Sequence, residues 1–248
     1  MPKTNSFLQK FMTCFIAGLT TAALLLTLGN SGTLYWFPPV VVFSLVGICL
    51  LLSILSPFIW QFNRNKQLHS ENIYGFLYAV IRYTIAFDLA CFGWKKIFGL
   101  QFVVPSSIAD MPMNQQSGEW LTWFYFGHSH SFGIILALIQ IIGSFLLLFR
   151  KTQLATAIGL FAFMLDLTLI NIFYQMNAGA LLQSILLTLG ITFLISLEYD
   201  RLVEFFFKKN ANTSSLTFIN TKYKIITKIS AIVLSLIFTL YLWWLKNQ

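Results

Sequence analysis

The sequence predicts an all-α integral membrane protein of about seven transmembrane helices with no sizeable water-soluble domain. Composition, apolar run length and the placement of charge carry that reading. Of 248 residues, 57% are apolar and only 10% charged, against usual values of about 45–50% and about 25%. Such a chain cannot cover a soluble surface with charge, so its solvent must be lipid. The net charge is +8, but Lys and Arg fall in short loops between apolar runs. That pattern orients a membrane protein and is not the clustered basic face of a nucleic-acid binder.

A helix needs about 20 apolar residues to cross the hydrocarbon core. Seven windows qualify: 11–28, 40–60, 76–98, 129–149, 154–174, 180–197 and 225–245. Lys3 and Lys10 before the first resemble the start of a secretory signal. No small-x-small cleavage site follows in Thr27-Leu28-Gly29-Asn30, so an uncleaved helix is expected. The stretch Glu119–Phe126 is too short to span and reads as an interfacial segment leading into the fourth helix. Residues 208–222, rich in Asn, Thr, Ser and Lys, form a linker. The predicted organisation is therefore two N-terminal helices in 1–72, a four-helix bundle in 73–207, and the linker with a last helix in 208–248.

With the N-terminus inside, the inner segments collect Lys3, Lys10, Arg64, Lys66, Arg150, Lys151, Arg201 and five lysines between 208 and 228. The outer segments 29–39 and 175–179 are uncharged, and 101–127 holds only Asp110 and Glu119. This asymmetry predicts a cytoplasmic N-terminus and an external C-terminus. Trp36, Trp94, Trp120, Trp123 and Trp243 cluster at the outer boundary, with Trp60, Tyr199 and Tyr223 at the inner one, as aromatic belts do.

Membrane helices associate through small residues that let backbones approach. The third helix carries Gly75, Ala79, Arg82, Ala86, Gly93 and Lys96 at helical spacing, and the fourth His130, Gly133, Ala137, Gln140 and Ser144. The fifth carries Ala155, Gly159, Ala162 and Asp166, and the sixth Gly179, Gln183 and Gly190. Each stripe holds a polar side chain, which predicts a packed core of helices three to six with a polar interior line. Helices one, two and seven carry mostly Ser and Thr, which bond their own backbone, so these three are expected at the periphery.

A charge at mid-bilayer costs at least ~2.5–3.5 kcal/mol, so it needs a partner or a task. Asp88 and Asp166 both lie about twelve residues into their windows, roughly 18 Å deep. Arg82 is shallower and long enough to climb toward Asp166. Two readings follow: a structural Arg82–Asp166 pair, or a polar cavity floored by Arg82, Asp88 and Asp166 and walled by Lys96, His128, His130, Asn171 and Gln183. Lys95 and Lys96, near the outer end, either snorkel or meet Asp110 and Glu119.

His128 and His130, at i and i+2, do not share a helix face, so they read as boundary residues, and no metal site is expected. Cys14, Cys49 and Cys91 stand singly in apolar runs and read as small hydrophobes.

The stretches Arg82-Tyr83, Phe92–Phe98 with Gln101-Phe102 and Pro105, Leu121–Phe124 with Phe126–Ser129, Gly143–Thr152, Asn171–Tyr174 and Asp200–Leu202 together resemble the DoxX-like family of small membrane proteins over about residues 75–205. The resemblance implies a four-helix membrane bundle and a bacterial cytoplasmic membrane as its location. Some members of that family are subunits of quinone-linked sulfur oxidoreductases, and others assist maturation or trafficking of partner proteins. Members most like this chain tend to carry an acidic residue where Gln140 stands and a charged turn where Tyr174–Gly179 stands. Arg82 and a lysine of helix three remain while those acidic companions are absent, which favours a non-catalytic role.

The expected function is accordingly that of an accessory, scaffold or maturation partner of another membrane protein, or of a second copy, with the lipid bilayer as its medium and no nucleic acid. The alternative is a quinone-binding subunit of an oxidoreductase, in which Lys96, His130 and Asn171 bond the ring carbonyls and Asp88 or Asp166 supplies protons. A small-solute or ion transporter ranks third, because no inverted repeat or matched pair of broken helices is visible.

Overall fold

A computed structural model describes residues 6–29, 35–62, 70–207 and Val233. All regular structure among them is helical. Six helices are long and apolar enough to cross a membrane: α1 (Phe7–Leu28), α2 (Pro39–Phe62), α3 (Ser70–Ile97), α6 (His130–Leu147), α7 (Gln153–Phe173) and α8 (Ala178–Leu197). Between α3 and α6 lie a single turn, α4 (Ser106–Ala109), a 3-10 turn at Met113–Gln115, and α5 (Gly118–Gly127). The chain is thus an all-α, multi-pass membrane protein. The predicted seventh span, 225–245, lies outside the described residues. The chain divides into two compact units, Met1–Leu202 and Val203–Gln248; the six spans belong to the first, and α9 (Tyr199–Phe207) crosses the boundary.

Local chemistry sets the helix ends. Ser6, Ser129 and Asn177 cap α1, α6 and α8 by accepting from the backbone N–H of Gln9, Phe132 and Ala180. Helix α3 starts six residues before its apolar window, because Ser70-Glu71-Asn72 is polar yet suits a first turn, with Glu71 against the positive helix end. At 28 residues it is about 42 Å long, more than the hydrocarbon core requires. The expected interfacial segment is α5, ten residues and too short to span.

Five spans close into a ring: α3 packs on α6, α6 on α7, α7 on α8, α8 on α1, and α1 back on α3. The core is filled by Ile81, Ile85 and Leu89 of α3, Leu160 and Met164 of α7, and Leu187, Ile191 and Leu194 of α8, with Ile16 and Ala17 of α1. Close approach depends on missing side chains. A Cβ on Gly93 would lie 2.6 Å from Ile141 and 3.0 Å from the Ala137 carbonyl, and one on Gly190 2.7 Å from Ile85 and 2.9 Å from Thr20.

The predicted peripheral role of α1 is corrected here. Its Ser and Thr hydroxyls do bond their own backbone, Thr13 to Gln9 and Thr21 to Ala17. Its Ala17, Ala22 and Ala23 are nevertheless buried, because small side chains let it seat between α3 and α8. Helix α2 matches expectation: it packs on α1, held by Lys10 donating to Gln61 at 2.8 Å, and is otherwise mostly exposed.

Candidate functional site

At the end of the ring that carries α5, the helices enclose a cavity of about 140 Å³. Aromatic walls (Phe92, Phe102, Trp123, Phe126) surround polar side chains that include Lys96, Gln101, Gln140, Asn171 and Gln183. Four of these were expected in the bundle interior. Gln101 was not, because it lies in the irregular segment after α3.

Lys96 leaves the last turn of α3 and turns inward, away from any snorkelling position. Its ammonium donates to Gln101 Oε1 at 2.8 Å, to Gln140 Oε1 at 2.9 Å and to the Phe92 carbonyl at 3.4 Å. The rings of Phe92 and Phe102 flank it, 6.0 and 5.5 Å away, a placement that adds cation–π attraction. Gln140, only 2% exposed, is thereby tied to α3. Phe102 reaches its place through a left-handed backbone, φ 63°, and Gly99, two residues before Gln101, takes the same region at φ 65°. Lys95, on the adjacent position, lies over Phe92 and outside this cavity.

A second polar knot sits deeper. Asp88 is fully buried, and its Oδ2 accepts from Gln183 Nε2 at 2.5 Å. The same amide lies 2.6 Å from Thr27 Oγ1 and 3.2 Å from the Ala23 carbonyl, so α3, α8 and α1 meet there. Asp88 Oδ1 has no hydrogen-bond partner. Asn171 joins α7 to α8 by donating to the Ala180 carbonyl at 3.1 Å and Ser184 Oγ at 2.9 Å, and Thr168 meets Thr188 at 3.0 Å.

Several expectations fail. Arg82 does not approach Asp166: its Nη1 donates to Gln153 Oε1 at 3.2 Å, Gln153 in turn bonds the Tyr78 hydroxyl, and the guanidinium lies between the Tyr78 and Tyr83 rings. Gln153 opens α7, thirteen residues from Asp166, about 20 Å along the axis. Helix α7 also turns the other way. It buries Gln153, Ala157, Leu160, Met164 and Thr168, while Ala155, Gly159, Ala162 and Asp166 are all exposed. Both sets have helical spacing. The buried one carries larger apolar groups and the hydroxyl and amide that α3 and α8 can bond, which is the signal that would have found Gln153. His130 is corrected as well: it starts α6 exposed and away from the cavity, and His128, exposed too, lines a separate aromatic groove with Tyr125 and Tyr174. Of the acids expected near the lysines, Glu119 instead accepts from Asn177 at 2.8 Å.

The interior is therefore a set of braces between helices. Lys96 has each of its three protons on a neutral acceptor of the protein itself, so a ligand in the cavity must compete with those bonds. Outside the bundle, a second carboxylate, Asp166, stands within the span of α7 among exposed Leu165 and Leu169. No family model, curated protein or solved structure matches this chain.

Proposed function

We propose that this chain is a non-catalytic accessory protein of the DoxX-like kind that binds another membrane protein as a scaffold or maturation partner. It resides in a bacterial cytoplasmic membrane, with its N-terminus inside and C-terminus outside, as the loop lysines and arginines favour. The observation that carries the reading is the outward face of α7, where small residues and Asp166 stand exposed on a helix otherwise suited to lipid. Small residues and a polar group on one face are what membrane helices use to meet one another. Native mass spectrometry of the chain, taken gently from its own membranes, tests the proposal. A second polypeptide at fixed stoichiometry is expected, and a bare single chain after crosslinking in intact membranes would refute it.

A second reading, a quinone-binding subunit, is favoured by the cavity with Lys96 and Asn171 on its wall. It predicts quinone co-purifying with the wild-type chain and absent from Lys96→Met. A ligand-free wild type would sink that reading.

A further inference from the structure

The outward face of α7 is specific enough to say what should cover it. Asp166 lies seven residues before the end of α7 at Phe173, about 10 Å along the axis, and so within the span. Among the described residues it makes no hydrogen bond or ion pair, and it is exposed. Three cations of the bundle are engaged elsewhere: Arg82 with Gln153, Lys96 with Gln140, and Lys10 with Gln61. One turn and two turns back, Ala162 and Gly159 leave a shallow strip, and a Cβ built on Gly159 would meet nothing within 4 Å.

We propose that this strip docks a transmembrane helix of a partner protein bearing a Lys or Arg near its middle, which pairs with Asp166 while the two backbones close over Gly159 and Ala162. Charge complementarity decides the occupant. A carboxylate inside a span demands a cation, and the missing side chains bring the helices near enough to exclude lipid from the pair. A second copy of this chain is the poorer fit, since a two-fold contact here sets two Asp166 carboxylates against each other. The inference rests on the accessory reading and adds the surface and the chemistry of the partner.

The test uses the full chain in phosphatidylcholine vesicles and two labelled Leu-based peptides of about 20 residues, each with an Ala face, differing only in a central Lys or Leu. Energy transfer reports association. The Lys peptide is expected to bind about tenfold more tightly than its twin, with the advantage lost in Asp166→Asn and retained in Asp166→Glu. Gly159→Val, at an open position, should weaken Lys-peptide binding without disturbing the bundle. Equal binding of the two peptides, or an advantage that survives Asp166→Asn, overturns the inference. So does transfer between two copies of the chain that Gly159→Val abolishes, which would assign the face to self-association, and so does a crosslink from position 166 that lands within the same chain. A native partner that co-purifies equally well with Asp166→Asn leaves the accessory reading standing and removes only this face from it. Preferential Lys-peptide binding with no native partner does the reverse.

Discussion

Single side chains in this bundle act as ties between helices, and their strength is testable one pair at a time. Gln140 gives the Lys96 ammonium an acceptor in a nearly closed site. Gln140→Leu removes it, and bonds to charged groups contribute about 1.5–3 kcal/mol, so thermal unfolding in lipid–detergent micelles should show a loss of that size. Adding Lys96→Met should recover part of it, because the orphaned charge goes too. Strict additivity of the two changes would show that the pair does not interact. The Asp88 knot is more exacting. Gln183→Leu strips the donor from a fully buried carboxylate whose other oxygen already lacks one. We expect a loss of about 3 kcal/mol, as for leaving a buried charged acceptor without its donor; a change below about 1 kcal/mol by the same melt would mean that Thr27 or water takes over.

Helices obey a different constraint, because each must choose which face to bury. Gly93 of α3 sits against the Ala137 backbone of α6, where a flexible side chain cannot simply move aside. Gly93→Val should therefore destabilise by about 1–3 kcal/mol through overpacking. Gly159→Val, with nothing near its Cβ, should stay within about 0.5 kcal/mol in the isolated chain. Melting both variants side by side checks the orientation of α7: the reverse order of stabilities would mean that its small stripe is packed after all. The stripes of α3, α6 and α8 do lead inward, with Gly93, Gln140, Gln183 and Gly190 buried. Rotation of a span about its own axis is set by its neighbours, and for α7 the stripe expected to face inward, Ala155 to Asp166, faces out. Its buried alternative, Gln153 to Thr168, satisfies the same period.

Within the first unit, five of the described spans form a ring with α1 built into it, not a four-helix core with a detachable front. Ala23 and Thr27 of α1 lie within hydrogen-bond distance of Gln183, and Ile16 and Ala17 pack in the core. A chain lacking residues 1–29 is expected to lose its cooperative melt by circular dichroism in micelles. A sharp, unshifted transition would restore α1 to the periphery.

The residues by themselves determined the membrane class, six of the spans to within a few residues at most ends, the short α5, and a few of the buried polar groups, Arg82, Asp88, Gln140 and Gln183. These are readable because span length and apolarity are local quantities, set by the thickness of the bilayer and the rise of a helix. Tertiary structure alone decided which partner each polar group took. Arg82 bonds Gln153 and leaves Asp166 alone, Gln101 comes back from an irregular segment to Lys96, His130 stays out, and α1 enters the ring. A 3.6-residue period marks several possible faces on an apolar helix, and lipid, as apolar as the side chains it touches, does not choose between them. Only the neighbouring helices do, through the few positions where a missing side chain or a buried amide lets them come close.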